Sequence, residues 1–322
     1  MERITSLFSG KVIFHVLKLA IFAGLLYVLL KRWLDQPLSL SYLSQVFASK
    51  EGVFYFISCI ALILPNWLIE AHIWRKLIEK IHFHTLFQSL QSVLSGLTLG
   101  ILTPFMTGDY VGRVMKLPAG KKKAGIGANL AGSYIFTLLS IHLGALGLGY
   151  FLYYVQQDSN QLYFVLFYAM CIASVLGVVL LLSKAPAWLA RIKFLTPYLA
   201  AFLSYSPSKL LEIYLLALFR YCVFLFQFVL MFWAFDVSVP IVPLVGGILV
   251  IFLAKTIGSG INIFGDLTSR ELVGIAYFNL FGADPGAVAW VIFLLWLVNI
   301  IIPAFAGLFF ISKIKKLNLR GA

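Results

Sequence analysis

Charge is scarce in this sequence. Asp, Glu, Lys and Arg make up 11% of its 322 residues, and only 12 of them are acidic against 25 basic. A soluble domain carries roughly twice that charged fraction, so a chain surrounded by water is excluded. Cysteine is scarce too: Cys59, Cys171 and Cys222 all fall inside apolar runs without paired spacing. That pattern indicates neither a disulfide framework nor a zinc site, and core thiols are expected. His82-x-His84 places two imidazoles on different faces of an expected helix, with no nearby acidic triplet to complete a metal set. The sequence also lacks a glycine-rich phosphate loop ending in Lys-Ser/Thr, a Ser-His-Asp nucleophile context and an acidic motif for a nucleotide-sugar metal. Catalysis, cofactor and metal are therefore not expected.

What remains is apolar. Hydrophobic residues reach 61% and aromatics 16%, with a mean hydropathy of +0.97, which is the composition of a polytopic membrane protein. The net charge of +13 does not point to nucleic acid, because the basic residues sit in short clusters between apolar spans, where they hold cytoplasmic ends against anionic headgroups. A bilayer crossing takes about 20 helical residues. Six runs meet that length: Val12 to Leu30, Gly52 to Ile69, Ala124 to Val155, Leu162 to Ser183, Lys209 to Phe235 and Gly286 to Ile311. The first is followed by Lys31-Arg32-Trp33 rather than a cleavage site, and reads as a retained span. Ala185 to Tyr205 looks amphipathic and is expected to join two halves at the cytoplasmic interface.

Two further regions, Leu86 to Leu117 and Pro243 to Phe281, are each split by a Gly-Asp pair within the pattern Gly-Asp-x-x-x-Arg: Gly108 to Arg113 and Gly265 to Arg270, 157 residues apart. If each split region enters and leaves on one side and the N-terminus is cytoplasmic, 18 of the 25 Lys and Arg residues lie at cytoplasmic ends. Only Lys31, Arg32 and Lys50 then lie outside. A full crossing by either region would put later basic clusters on the wrong side. The expected fold is all-α: six transmembrane helices plus two re-entrant helical hairpins, in two inverted-topology repeats over residues 1–157 and 158–322. It forms one membrane domain in the cytoplasmic (inner) membrane, with both termini cytoplasmic.

Charged groups at membrane depth cost roughly 3 kcal/mol each and are seldom kept without a partner or a task. Broken backbone there requires protein or a wet cavity to satisfy it. A half-helix starting just after each Gly-Asp would aim free N–H groups and a positive dipole end at such a cavity. Arg113 and Arg270, one turn beyond Asp109 and Asp266, would add positive charge for an anionic headgroup. Against this stands the plainer reading of both aspartates as helix N-caps and both arginines as snorkelling or holding the turn. Glu271 follows Arg270, where the first copy has Val114; a salt bridge or proton coupling would use it. Lys255, eleven residues before Asp266, is the best additional cavity candidate. Glu212 and Arg220, two turns apart, would face one interior, while Lys18 and Glu70 lie near enough to span ends to snorkel. Asn129 and Asn262 suit helix-to-helix hydrogen bonds.

Leu97 to Arg113, Phe264 to Glu271 and Asn66-Trp67 ahead of Arg75 together resemble the flippase-like transmembrane region of lysylphosphatidylglycerol synthases, over nearly the whole chain. The family's Pro-x-x-x-Gly-Asp/Glu-x-x-x-Arg motif falls on Pro104, Gly108, Asp109 and Arg113, and its Arg-Glu pair on Arg270 and Glu271. Met106 stands where a basic residue is often found, and Asp266 to Ser269 replaces a glycine-rich approach to Arg-Glu. The synthases carry a soluble aminoacyl-transfer domain after the membrane part, whereas this sequence runs eleven residues past its last span. The resemblance thus implies lipid translocation without lipid synthesis. The expected partner is a membrane phospholipid or polyprenyl-phosphate lipid, its headgroup held by Arg113, Arg270, Asp109, Asp266, Glu271 and Lys255. The alternatives are an integral-membrane glycosyl- or aminoacyl-lipid transferase using a buried carboxylate as base, and a scaffold subunit for a partner envelope enzyme.

Overall fold

The computed structural model describes residues 39–101, 103–155, 161–182, 196–259 and 263–313, together with Ala23 and Tyr27. Most of the expected first span, Lys18, linker residues 185–195 and Asn262 lie outside these. Among the described residues every regular element is helical.

The chain runs through α1 (Ser41–Ala48), α2 (Lys50–Ala61), α3 (Ile63–Ile78), α4 (Leu86–Ile101), α5 (Thr107–Val114), α6 (Lys122–Tyr150), α7 (Gln161–Leu182), α8 (Thr196–Leu203), α9 (Pro207–Ala234), α10 (Ile241–Ser259), α11 (Ile263–Asn279), α12 (Pro285–Trp296) and α13 (Ile302–Lys313). Five segments are long and apolar enough to cross a membrane: Lys50–Ile78, Ala119–Tyr153, Pro207–Ala234, Ile241–Gly258 and Pro285–Ile311. The fourth of these, Ile241–Gly258, is the incoming arm of the second split region, which by length and composition is also long and apolar enough to cross.

Proline and short polar side chains set the boundaries. Pro65 cannot donate to the helix before it, and α2 gives way to α3 at Leu62 without the chain leaving the span. That span runs to Ile78, nine residues beyond the expected end at Ile69. Thr85 and Gln88 close a reciprocal capping box at the start of α4, the Gln88 N–H donating to Thr85 Oγ1 at 3.2 Å and the Thr85 N–H to Gln88 Oε1 at 2.9 Å. Ser206 and Asp284 cap α9 and α12, each followed by a proline at the first helical position.

Both split regions fold as helical hairpins whose arms touch along small residues. In the first, Gly96-x-x-x-Gly100 on α4 faces Gly108-x-x-x-Gly112 on α5; a Cβ built on Gly112 would stand 2.5 Å from the Gly96 Cα and the Ser95 carbonyl oxygen. In the second, a Cβ on Gly258 of α10 would collide with the Gly265 carbonyl and the Ser269 hydroxyl of α11. Small residues of this kind let backbones approach where lipid offers no hydrophobic drive between helices. The first half meets the second along α4 and α13, where Thr98 Oγ1 donates to the Ala304 carbonyl at 2.7 Å. Tyr42 of α1 donates to Asp284 at 2.5 Å, tying the first half to the α12 cap. Of the three cysteines only Cys59 is a buried thiol; Cys171 is partly exposed and Cys222 exposed, on the outward face of α9.

Candidate functional site

The break between α4 and α5 is built by four residues. Pro104 opens a single 3-10 turn, Phe105 and Met106 take left-handed φ of 56° and 51°, and Thr103 Oγ1 accepts the Gly108 N–H at 2.7 Å. Left-handed conformations are costly for bulky residues and persist only where the surroundings enforce them. The helix then starts at Thr107, ahead of Gly108-Asp109 and not after it as the sequence suggested; α11 likewise starts at Ile263. Both aspartates therefore lie inside the first turn. Asp109 offers no side-chain cap and turns instead to Arg113, whose Nε is 2.9 Å from both carboxylate oxygens, and to Asn129 Nδ2 at 2.9 Å. Arg270 grips Asp266 the same way, Nη2 reaching Oδ2 at 2.7 Å and Oδ1 at 2.9 Å.

The two pairs face one cavity of about 390 Å³ inside the bundle. Asp109, Arg113, Asp266, Arg270 and Lys255 all line it, as the sequence indicated, and Glu70, Arg220 and Asn299 join them. Glu271 is buried beside Arg270 but does not line the cavity. Arg220 and Glu212 part company: Arg220 faces the cavity, while Glu212 pairs with Lys76 at 2.7 Å and Lys209 at 3.0 Å near the start of α9.

Glu70 is the clearest correction. It is 2% exposed rather than snorkelling, because the helix carrying it continues two turns past the point where the apolar run stops. Its Oε1 meets Arg113 Nη2 at 2.7 Å and its Oε2 meets Arg220 Nη1 at 3.0 Å. One turn earlier, Asn66 Oδ1 accepts from Arg220 Nε at 2.8 Å, and Asn66 Nδ2 donates to Asn299 at 3.1 Å and Gln227 at 3.3 Å. Asn299 sits in a π-helical turn, Leu297–Ile301, the kind of local widening that often accompanies a functional position. An Asn within the apolar run from Gly286 to Ile311 was the signal for it. Aromatic faces complete the walls: Arg220 lies 5.1 Å from the Phe224 ring centroid and 5.5 Å from that of Trp67, and Lys255 lies 5.3 Å from Phe224 and 5.8 Å from Tyr221.

The lining thus carries four cations, Arg113, Arg220, Lys255 and Arg270, against three carboxylates, Glu70, Asp109 and Asp266. Such an arrangement can hold an anion in a setting where water is limited and charge interactions are strong. Outside it, His82 and His84 lie in the loop between α3 and α4 rather than on a helix, their rings 5.5 Å apart and edge to face. Among the described residues no group of three or more His, Cys, Asp or Glu side chains is placed to hold a metal ion. Comparison with known proteins finds no matching family model, no matching curated protein and no matching solved structure.

Proposed function

We propose that the protein moves an anionic lipid, a phospholipid or a polyprenyl-phosphate-linked lipid, across the membrane in which it sits. The observation that carries this reading is the meeting of both Gly-Asp-x-x-x-Arg motifs in one internal cavity lined by more cations than carboxylates. A cavity that carries charged side chains amid candidate spanning helices would give a headgroup a path through hydrocarbon while its chains stay in lipid. In the same reading the two hairpins are re-entrant, enter from opposite faces, and belong to inverted halves, as in secondary transporters with sites near the midplane. The 157-residue recurrence and the distribution of basic residues support that topology. So does the likeness of the two motifs to the flippase-like region of lysylphosphatidylglycerol synthases. A lipid transferase using a carboxylate as base has less support, since Glu70, Asp109 and Asp266 are each held by arginine.

Liposomes containing the purified protein and headgroup-labelled lipids test the proposal. Transfer of an anionic or polyprenyl-phosphate lipid should exceed that of empty vesicles and drop by about tenfold or more in Arg113→Ala and Arg270→Ala, the loss expected when a charge-assisted contact worth 1.5–3 kcal/mol is removed. Transfer no faster than in empty vesicles for all these lipids would overturn it.

A further inference from the structure

Glu70 is the least secured of the carboxylates that line the cavity. Asp109 holds Arg113 Nε through both oxygens and accepts from Asn129 as well, and Asp266 is gripped by Arg270 through both of its own. Glu70 Oε1 meets Arg113 at 2.7 Å, but Oε2, buried and 3.0 Å from Arg220 Nη1, accepts no hydrogen bond among the described residues. Ion-paired yet unbonded, that oxygen is the weak point of the network, since a buried acceptor without a donor is costly. The two arginines have other holds. Arg113 keeps Asp109 and lies 5.8 Å from the Trp74 ring centroid. Arg220 keeps Asn66 and lies 5.1 Å from the Phe224 centroid and 5.5 Å from those of Trp67 and Phe136. Glu70 can therefore leave both while each guanidinium stays in place.

The charge balance decides what must accompany such a release. Four cations line the cavity: Arg113 of α5, Arg220 of α9, Lys255 of α10 and Arg270 of α11. Glu70, Asp109 and Asp266 line it with them, and Glu271, 7% exposed, is buried beside Arg270. Four formal positive charges thus stand against four negative. An added anion leaves one negative charge uncompensated among candidate spanning helices, where such a charge is costly. One proton restores the sum. Glu70 is the place for it, because an anion bridging Arg113 and Arg220 takes over both of its partners. A carboxylate set loose out of water is neutralised rather than kept as an ion.

We propose that anion binding in this cavity is proton-linked: the anion displaces Glu70 from Arg113 and Arg220, Glu70 takes up one proton from water, and the two cross together without net charge. This rests on the transport reading above and adds a driving force to it, the proton gradient across the membrane.

Dimyristoyl phosphatidylglycerol, a diester whose charge is fixed near neutral pH, serves as the probe and is titrated into the full chain in neutral detergent. Its affinity should fall about tenfold for each pH unit between about pH 6.5 and 8.5, the slope of one proton taken up per lipid bound. Glu70→Gln imitates the protonated carboxyl. It should bind within about threefold of the same affinity at every pH in that range. A pH slope that survives in this variant puts the proton on another group, Lys255 included, and overturns the proposal; so does a folded variant that no longer binds. Vesicles holding the unaltered protein test it whether or not the variant folds. A step of one pH unit should bring headgroup-labelled phosphatidylglycerol to a ratio of about tenfold between the leaflets, in favour of the alkaline side, and a potassium diffusion potential of either sign should leave that ratio unchanged. An even ratio, or one set by the potential, overturns the proposal. Proton-linked binding without any transfer refutes the transport reading and leaves the exchange at Glu70 standing; transfer with binding that ignores pH refutes the exchange alone.

Discussion

Glu70 holds two guanidinium groups apart and neutralises a share of each, at the junction of α3, α5 and α9. Removing one partner of a buried ion pair costs about 3–5 kcal/mol, because the other is left charged and out of water. Glu70→Ala strands two such partners and should lower the melting temperature in detergent sharply, while Glu70→Gln, which keeps an acceptor, should fall between. A Glu70→Ala protein that melts with the unaltered one would show that Arg113 and Arg220 find other counter-charges. Nothing in the neighbourhood of Glu70 in the sequence announces this role. The apolar run breaks there, so the residue looks like a span end; the helix continues because Ala71, Ile73, Trp74, Leu77 and Ile78 keep one buried face in register. Asp109 with Arg113 and Asp266 with Arg270 were legible for the opposite reason. Spacing of i and i+4 puts each pair on one helical face, and charge inside an apolar stretch demands such a partner.

Each hairpin works as an element only if its arms stay in contact. Asp109 and Arg113 reach the cavity from α5 because Gly108 and Gly112 let that short helix lie against the α4 backbone at Gly96 and Leu99. Gly112→Ala would insert a methyl 2.5 Å from the Gly96 Cα, and backbone cannot yield as a flexible side chain does. Overpacking of this kind costs about 1–3 kcal/mol, and here it also moves Arg113 from Glu70. The variant should therefore lose both thermal stability and lipid transfer, whereas Gly120→Ala, where a Cβ meets open space, should leave both unchanged. Equal behaviour of the two variants would separate the hairpin contact from function. The existence of this break was readable from Pro104 and the Gly-Asp pair. Its shape was not: the reversal uses Phe105 and Met106 in left-handed conformations, and neither residue type signals a positive φ.

Over the whole molecule, the recurrence of one motif 157 residues on foreshadowed a shared chamber, since two charged breaks in lipid are best satisfied by facing each other. The groups that complete the chamber come from otherwise apolar spans: Arg220 stood out there as a charge expected to face an interior, whereas Asn299 was passed over among leucines and phenylalanines. Outside the candidate spans, the α3–α4 loop gives the fold a pH dependence of its own. His84 is 3% exposed with its Nδ1 unpartnered among the described residues, close to His82 and Lys116. Burial first, then those two neighbours, push its pKa down to about 4, against about 6.5 for a free imidazole. Between these values the unfolded chain binds a proton that the folded one refuses. Stability from this site is thus complete above about pH 6.5 and drains away as pH falls towards 4. Asp284 acts lower: the Tyr42 hydroxyl, then the Ala287 N–H, hold its carboxylate below the usual range, so its contribution persists until more acidic pH. Melting temperatures between pH 7.5 and 4.5 isolate the histidine, and His84→Phe should flatten the decline seen in the unaltered protein. Parallel curves for the two proteins would mean that His84 takes up its proton in the folded state as readily as in the unfolded one, through a loop that opens to water.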